Sequence, residues 1–464
     1  MATPALDYLI SGSVALDVAL ASKASREALD DRRAARLGRL LGTASQTSPL
    51  YRKLLHGRDT ASLSLGDLPI MHKAQLMHRF DDWVGDPKLK LDALRYFVAD
   101  HSRRAQPYLE RYVVWESSGS TGVPGIFVQD AHAMAVYDAL EALRRPVLRP
   151  MQRLLDPLGL SERIAFVGAL DGHFASTVSI ERLRRLNPAM SSQIHCISFL
   201  QPVDAIVREL NALAPTVIAT YPSAAVLLAE ERAAGRLAVS PQEVWTGGED
   251  LSPAKRRFVQ QAFGCLVANS YGASEFLALA SECALGHLHL NSDWAILESV
   301  DSHGHAVPEG KAGATTLLTN LANLVQPLIR YDIGDRVTVH AGTCECGSAL
   351  PVIEVQGRSE ETLQLGRAGA CSVSVLPLAL TTVLEEDAAL FDFQVVQRGA
   401  TDLLLRTGLH GAVGELALQR ARRVLGDFLQ AQGAVGVRIH CLAGEAIHCS
   451  RSGKIKRVVV APPH

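Results

Sequence analysis

The chain has 464 residues, more than one hydrophobic core usually supports, so we expect two or more domains. Hydrophobic residues make up 48% of it, and 46 basic side chains nearly balance 48 acidic ones, which leaves a formal net charge of −2. This balance gives no electrostatic argument for nucleic acid or an anionic membrane surface as a partner. A small soluble substrate is therefore favoured.

The first residues, MATPALDYLISGSVALDVALASK, are apolar, but they lack a basic start and are interrupted by Asp7 and Asp17. We therefore predict neither a signal peptide nor a membrane span. Eight cysteines in a chain of this length are too few for a disulfide scaffold. We expect reduced thiols or metal ligands, and a cytoplasmic protein.

Residues 24 to 56 carry apolar side chains at helical spacing, which predicts helices, and we expect their arginine-rich opposite face to be solvated. From about residue 160, short apolar runs alternate with amphipathic segments. This alternation indicates a sheet with substantial parallel pairing, covered by helices. The predicted strands are RIAFVGAL, IHCISFL and PTVIATY, and the predicted helices are PVDAIVRELNAL, PSAAVLLAEERAAG and SPAKRRFVQQAFG.

Strands and turns then replace the alternation, in HLNSDWAILESVDSHGHAVPEG, AGATTLLTNL, RVTVHAG and PVIEVQGR, which predicts a β-rich subdomain. After Gly357, predicted helices ALTTVLEE and GELALQRARRVLGDFLQAQG and strands DFQVVQR, TDLLLRTG and GVRIHCL form a unit the size of a small α+β domain. The predicted fold class is α/β, with a large N-terminal domain at 1–357 and a small C-terminal domain at 358–464.

The stretch ESSGSTGVPG, residues 116 to 125, lies between two segments that favour strands, RYVVW and IFVQD. Glycine allows backbone angles that other residues avoid, and successive N–H groups with hydroxyls beside them suit phosphate oxygens. A flexible surface turn explains the same composition. Both interpretations make this stretch the connection between two strands.

The common nucleotide signatures GxxxxGK[ST] and GxGxxG after a strand are missing, as are HExxH and GxSxG. Other short stretches follow the glycine-rich loop instead: TGGED (246–250), SYGASE (270–275), RYDIGD (330–335), GRSEE (357–361) and SRSGKIKR (450–457). Their order and spacing resemble the adenylate-forming superfamily of acyl- and aryl-CoA synthetases, luciferases and peptide-synthetase adenylation domains.

Further stretches resemble the branch of phenylacetate–coenzyme A ligase and coenzyme F390 synthetase. They are SPLYRKLL, LSLGDLPIMHKAQLMHRF, ATYPSA, PLIRYDIGD and CECGSALPVIEVQGR, so the resemblance extends from about residue 25 to residue 460. It implies the adenylate-forming fold, in which the small C-terminal domain is mobile.

The resemblance implies an ATP site. The glycine-rich loop would hold the β and γ phosphates, TGGED would line the adenine, the tyrosine and glycine of SYGASE would stack on it, and the last aspartate of RYDIGD would bind the ribose hydroxyls. The implied residues are Ser118, Gly119, Ser120, Thr121, Gly122, Gly247, Gly248, Glu249, Tyr271, Gly272, Ala273, Ser274, Asp335 and Arg358.

The resemblance also implies catalytic roles. Lys454 would contact the α-phosphate and the substrate carboxylate, Glu275 would bind Mg²⁺, and Glu360 would be the hinge of the small domain. Many members of the superfamily end the phosphate loop in lysine, where this chain has Gly125. Read alone, SYGASE is a strand-ending turn, TGGED opens a helix capped by Ser252, and SRSGKIKR is a basic tail.

Cysteine and histidine indicate a second site. Three thiols and one imidazole would hold a zinc ion tetrahedrally, and some relatives in the branch show a similar pairing; four unrelated reduced residues are the alternative. We prefer His289 to His287 because HLHLNSDW aligns its second histidine with that of the branch. The predicted ligands are Cys283, His289, Cys344 and Cys346.

The stretches GALDGHFAST and ATYPSA fall where the family builds the wall of its acyl pocket. This makes His173, Phe174, Tyr221 and Ser223 candidate substrate contacts. A core aromatic or a helix cap explains each of them equally well.

The resemblance therefore implies an enzyme that uses ATP and Mg²⁺ to convert a carboxylic acid, expected to be aryl or arylacetic, to an acyl adenylate. The acyl group would then pass to a thiol, expected to be coenzyme A. Alternative acceptors are a carrier protein, an amine, or a phenolic cofactor that takes AMP. A nucleotide-binding scaffold without turnover is the alternative from another class, against which Glu275, Asp335 and Lys454 argue. No nucleic acid or membrane partner is expected, and a homodimer stays open.

Overall fold

The computed structural model describes residues 6–59, 63–117, 124–145, 148–156, 161–170, 172–198, 201–340, 342–358, 363–366, 373–375, 377–445 and 456–460. Within these ranges, no helix is both long enough and apolar enough to cross a membrane. One hydrophobic core joins the N-terminal helices to the β-rich part, and a second lies between the large sheet and its helices. A third consists of residues between 363 and 458.

Helices form most of the first hundred residues, and their caps explain where they begin. The Asp7 carboxylate accepts hydrogen bonds from the N–H groups of Leu9 and Ile10, Ser25 caps the second helix, and Ser48 caps the third. The helices are α1 (Tyr8–Ala21), α2 (Arg26–Thr47), α3 (Pro49–Leu55), α4 (Lys73–His78), α5 (Phe80–Trp83) and α6 (Leu91–Ala99), with 3-10 turns at Leu65–Asp67 and His101–Arg103.

The arginine-rich face of residues 24 to 56 is solvated only in part, which corrects the prediction. The Arg36 side chain is 13% exposed, lies over the Trp294 ring, and binds the fully buried Asp293 carboxylate at 3.1 Å as well as Asp17. Arg144 binds the same Asp293 carboxylate at 2.7 Å. Because a buried carboxylate is costly without cationic partners, these arginines point inward.

The strands β1 (Val113–Glu116) and β2 (Ile126–Gln129) pair antiparallel and are fully buried, which confirms that the glycine-rich stretch joins two strands. Residues 118–123 lie outside the described ranges. The ends of the connection are fastened together, because the Ser117 N–H donates to the Gly125 carbonyl and the Gly125 N–H donates to the Ser117 hydroxyl, both at 2.8 Å. Helix α7 (Ala131–Arg144) follows.

The predicted alternation of strands and helices is confirmed by five parallel strands in the order β4-β3-β5-β6-β7. The strands are β3 (Ile164–Gly168), β4 (Ile194–Ser198), β5 (Val217–Thr220), β6 (Glu243–Gly247) and β7 (Leu266–Ala273). The helices are α8 (Pro150–Leu155), α9 (Ala175–Leu186), α10 (Pro188–Gln193), α11 (Val203–Leu213), α12 (Pro222–Ala233) and α13 (Pro253–Phe263).

The β-rich part is continuous with the α/β body, because four of its strands extend the large sheet. After β7 this sheet continues antiparallel as β8, β9, β14 and β13, giving nine strands, whereas β10, β11 and β12 form their own three-stranded sheet. The strands are β8 (Phe276–Glu282), β9 (Leu288–Leu290), β10 (Ala295–Val300), β11 (Thr315–Asn320), β12 (Tyr331–Asp332), β13 (Asp335–His340) and β14 (Val352–Arg358).

The C-terminal part has the predicted α+β character and a hydrophobic core of its own. Its four-stranded sheet has the order β19-β18-β17-β20, with the central pair antiparallel and the outer pairs parallel. The boundary at residue 357 stays a prediction. The elements are β15 (Leu363–Leu365), β16 (Val373–Val375), α14 (Pro377–Glu386), β17 (Gln394–Gly399), β18 (Asp402–Thr407), α15 (Gly411–Ala431), β19 (Arg438–Ala443) and β20 (Val458–Val460).

Candidate active site

A cavity of about 1620 Å³ opens where the parallel strands β6 and β7 end at their carboxyl termini, a common place for ligands in α/β sheets. Motif stretches that lie far apart in the sequence line this one cavity, together with side chains from the C-terminal part. The motif residues in its wall include Ser117, Gly248, Glu249, Asp250, Ser270, Tyr271, Gly272, Ala273, Ser274, Glu275, Asp335 and Gly357.

The TGGED stretch leaves β6 through two glycines that the geometry requires. A Cβ at Gly247 would lie 2.8 Å from the Ser270 hydroxyl, and Gly248 has a φ of +79°. The Glu249 carboxylate accepts a hydrogen bond from the Ser223 N–H at 3.0 Å. Ser252 caps α13 as predicted, so the stretch is both a wall of the cavity and the start of a helix.

The SYGASE stretch forms the tight connection between β7 and β8. A Cβ at Gly272 would lie 1.8 Å from the Leu277 carbonyl oxygen, so only glycine fits there without a backbone shift. The Ser274 carbonyl accepts a hydrogen bond from the Trp115 indole at 2.8 Å, and the Glu275 carbonyl accepts one from Asn320 at 2.9 Å. Side chains from other elements therefore fix this turn in the cavity wall.

Two predicted site residues meet directly, because the Tyr271 hydroxyl donates to the Asp335 carboxylate at 2.7 Å. The Glu275 carboxylate accepts a hydrogen bond from the Tyr331 hydroxyl at 2.8 Å. Carboxylate oxygens are the protein ligands that Mg²⁺ prefers, so Glu275 fits the magnesium role. Asp335 likewise offers the acceptor oxygens that a pair of ribose hydroxyls needs.

The RYDIGD stretch is attached to the N-terminal helical region. Arg330 has a φ of +49°, its N–H donates to the Thr319 hydroxyl, and its guanidinium donates to the Leu68 carbonyl at 2.6 Å. Tyr331 forms a parallel bridge with Met71. The backbone around Asp335 is thereby fixed by residues that precede it by more than two hundred positions.

A buried ion pair joins the C-terminal part to the cavity wall. The Lys255 ammonium on α13 lies 2.9 Å from the Glu385 carboxylate on α14, and both side chains are buried. The Ser252 hydroxyl donates to the same carboxylate, and the rings of Phe258 and Phe391 stack with their centroids 5.4 Å apart. A buried ion pair therefore stabilises the contact of α13 with α14 in the cavity wall.

The four predicted metal ligands come together between the end of β8, β9 and the connection that joins β13 to β14. The donor atoms of Cys283, His289, Cys344 and Cys346 all lie within 4.8 Å of one another. The Nδ1 of His289 lies 2.8 Å from the Leu350 carbonyl, and its Nε2 lies 3.4 Å from the Cys346 sulfur. A carbonyl that accepts the Nδ1 proton leaves Nε2 as the ligand atom, as in protein zinc sites.

The predicted acyl-pocket residues do not line the cavity in the part of the chain that the structure describes. His173 is fully buried beside the Phe97 ring, and burial lowers the pKa of its imidazole to about 4. Phe174 and Tyr221 are also buried, and burial raises the pKa of Tyr221 to about 12. Ser223 reaches the cavity only through its contact with Glu249.

Several predicted residues lie outside the described ranges, namely Ser118, Gly119, Ser120, Thr121, Gly122, Glu360 and Lys454. Arg358 is described by its backbone, which is in register with Asp335 in the pairing of β14 with β13. Lys73, Trp115 and Tyr331 were not assigned from the sequence, although LSLGDLPIMHKAQLMHRF and RYDIGD contain two of them.

Sequence comparisons match parts of the chain to known proteins. Residues 185–313 match the family model of AMP-binding enzymes. Protein CapK of Staphylococcus aureus is 25% identical over 231 residues, which are 47% of this chain, so the match spans about half the length of that relative. Over these parts, the chain is similar to AMP-binding enzymes and to CapK.

Solved structures show the same fold. A 2-hydroxyisobutyryl-CoA ligase in the postadenylation state has a TM-score of 0.66 and 20% identity, covering 92% of this chain and 88% of its own. A benzoate CoA ligase from Burkholderia xenovorans LB400 has a TM-score of 0.52 and 19% identity, covering 74% of this chain and 67% of its own. The fold of this chain is that of the adenylate-forming CoA ligases.

Proposed function

We propose that the protein is an ATP-dependent ligase that activates a carboxylic acid as an acyl adenylate and passes the acyl group to a thiol. The observation that carries this proposal is the meeting of Tyr271 and Asp335, with Glu275 and Gly248, around one cavity. These residues come from three separate motifs, and each offers what one part of a magnesium–ATP complex needs.

In the first half-reaction, an oxygen of the substrate carboxylate attacks the α-phosphorus of ATP, and pyrophosphate leaves. Gly247 and Gly248 would allow the adenine to approach the backbone, and Asp335 would accept hydrogen bonds from the ribose. Glu275 would hold Mg²⁺, whose charge offsets the charge that develops on the phosphates. Lys454 would bring an ammonium group to the α-phosphate and the substrate carboxylate.

In the second half-reaction, the acceptor thiol attacks the acyl carbonyl, and AMP leaves. We propose coenzyme A as the acceptor, because the solved structures with this fold include CoA ligases for hydroxyisobutyrate and benzoate. We propose an aryl or arylacetic acid as the substrate, following the resemblance to the phenylacetate branch. The cytoplasmic location and the homodimer stay predictions.

An amine acceptor is the second candidate. The amide bond synthetase McbA from Marinactinospora thermotolerans has the same fold at a TM-score of 0.50 and 16% identity. The first half-reaction is the same for both candidates, so supplying coenzyme A or an amine to the formed adenylate separates them.

Acid-dependent exchange of labelled pyrophosphate into ATP tests the proposal. With Mg²⁺ and a panel of aryl, arylacetic and short-chain acids, we expect exchange to depend on at least one acid. Asp335→Asn is the matched variant. We expect it to weaken exchange, because it removes the carboxylate that is proposed to bind the ribose hydroxyls. A folded protein that binds ATP but shows no exchange across the panel would remove the enzyme assignment.

We also propose that Cys283, His289, Cys344 and Cys346 bind a structural zinc ion. Four protein ligands leave no open position for a reacting group, so the ion would clamp β9 to the connection between β13 and β14. Cys283 also lines the active-site cavity, so the clamp would support one of its walls.

Elemental analysis should give about one zinc per chain. Cys346→Ser should lose the metal and stability together, because metal binding and folding are coupled at such sites. Cys265→Ser, which changes a half-buried thiol outside the cluster, is the control and should keep the metal. Metal-free protein of undiminished stability would contradict the zinc proposal.

A further inference from the structure

Lys73, the first residue of α4, lies in the wall of the active-site cavity together with Ser117. A Cβ at Gly125 would lie 3.3 Å from the Lys73 Cδ, so the aliphatic stem of the lysine runs close beside the Gly125 backbone. Ser117 and Gly125 are the hydrogen-bonded ends of the glycine-rich connection. The missing side chain of Gly125 therefore leaves room for the Phe127 ring, which would lie 2.9 Å from such a Cβ, and also for a lysine from another element.

The segment before Lys73 is fastened to the RYDIGD stretch. The Met71 N–H donates to the Arg330 carbonyl, and the Asp332 N–H donates to the Met71 carbonyl, both at 2.9 Å. Tyr331 lies between those two residues, and its hydroxyl binds the Glu275 carboxylate. Strand β12 therefore positions both the segment before Lys73 and Glu275, the proposed magnesium ligand.

Helix α4, which begins with Lys73, is itself packed against the N-terminal core. Leu76 and Met77 are buried in the N-terminal core. The Met77 sulfur lies 3.4 Å from the Ile126 N–H at the start of β2. Since β2 follows Gly125 directly, the backbone of Lys73 is fixed relative to the end of the glycine-rich connection.

The electrostatics of the cavity favour a phosphate role for this ammonium group. Glu249, Glu275 and Asp335 bring negative charge to the wall. Five cations besides Lys73 line the wall: Lys255, which is paired with Glu385, Arg256, which is paired with Glu282, and Arg406, Lys456 and Arg457. A nucleoside triphosphate needs cations at its phosphate end, and lysine is a common binder of phosphate.

We propose that Lys73 binds the β and γ phosphates of ATP and the pyrophosphate that leaves in the first half-reaction. This inference rests on the proposed function. It assigns to the phosphate end of the cavity a cation from a part of the chain more than forty residues before the glycine-rich stretch.

The test compares nucleotides that have or lack these phosphates. Titration calorimetry measures the affinity of Lys73→Met for ATP with Mg²⁺ and for AMP, with Lys73→Arg as the conservative variant. Methionine keeps the length of the stem and suits a helix. Lys53→Met, which changes an exposed helical lysine outside the cavity wall, is the matched control.

We expect Lys73→Met to bind ATP about tenfold or more weakly than the wild type, and to keep the wild-type affinity for AMP within about twofold. We expect Lys73→Arg to bind ATP more tightly than Lys73→Met does. Equal loss for both nucleotides, or no loss for either, would overturn the proposal. If the wild-type protein binds ATP but shows no acid-dependent exchange, the proposed function is wrong. The affinities of the Lys73 variants for ATP and AMP then still test the role of Lys73. Wild-type protein that binds no ATP would end both.

Discussion

Replacing Lys454 by alanine is expected to slow acyl-adenylate formation by about two or more powers of ten, while thioester formation from presynthesised acyl adenylate keeps much of its rate. An ammonium group against the charge that develops on the α-phosphate lowers that barrier by several kcal/mol. In the second half-reaction AMP leaves and its phosphate also gains negative charge, but Lys454 is expected to have left the pocket by then. Since the small domain is expected to rotate between the two steps, Lys454 should be needed in only one of them.

The two half-reactions are measured separately, by pyrophosphate exchange and by conversion of added acyl adenylate with coenzyme A. Lys311→Ala, which changes an exposed lysine outside the cavity wall, is the control and should leave both rates unchanged. Glu360→Pro, by stiffening the predicted hinge, should show the opposite bias if the resting arrangement is the adenylating one. Equal loss of both rates in folded Lys454→Ala that still binds ATP would contradict domain alternation.

Asp293→Asn is expected to lower the free energy of unfolding by about 3–5 kcal/mol, because it leaves two inward-pointing arginines without their shared carboxylate. The Asp293 side chain is fully buried, and those of Arg144 and Arg36 are 4% and 13% exposed. Urea unfolding at neutral pH measures the loss. Asp92→Asn is the control, because that carboxylate is 98% exposed and its pairing with Arg95 should contribute little.

The effect of Asp293→Asn should depend on pH. Burial alone would raise the pKa of Asp293, but hydrogen bonds and attraction from Arg144 and Arg36 outweigh burial and hold it below its ordinary value. A carboxyl group whose pKa is depressed by folding contributes stability above its unfolded pKa and loses it as the pH falls through its folded pKa. The difference between wild type and variant should therefore shrink in acid. A difference that is constant from neutral to acidic pH would contradict this assignment.

The elements of the parallel sheet could be predicted because their signals are local. Each strand is a short apolar run, and each following helix has its own apolar face, so periodicity alone finds both. The pairing of β14 with β9, which brings β13 and β14 into the large sheet, could not be predicted. The sequence of a strand carries little information about which distant strand it pairs with. The same holds for Arg36, whose helical pattern says nothing of a carboxylate at residue 293.

Residues of the candidate site could be predicted where a motif contained them, as for Tyr271, Asp335 and the cluster around Cys346, but the hydrogen bond of Tyr271 with Asp335 could not. Side chains that support those residues from other elements were missed. Trp115 and Tyr331 act on SYGASE through hydrogen bonds that only the folded chain brings together. Lys73 lies within a stretch that had been singled out, but its nearness to Gly125 required the fold.

The ion pair of Lys255 with Glu385 limits the paths by which the C-terminal part could leave the cavity wall. Both charges are dehydrated where they meet, so a small displacement would break their contact before water could surround either one. An uncompensated buried charge costs several kcal/mol, which makes halfway positions unfavourable. Motion of this part would therefore run between two arrangements separated by a barrier, to which the contact of Lys255 with Glu385 would contribute.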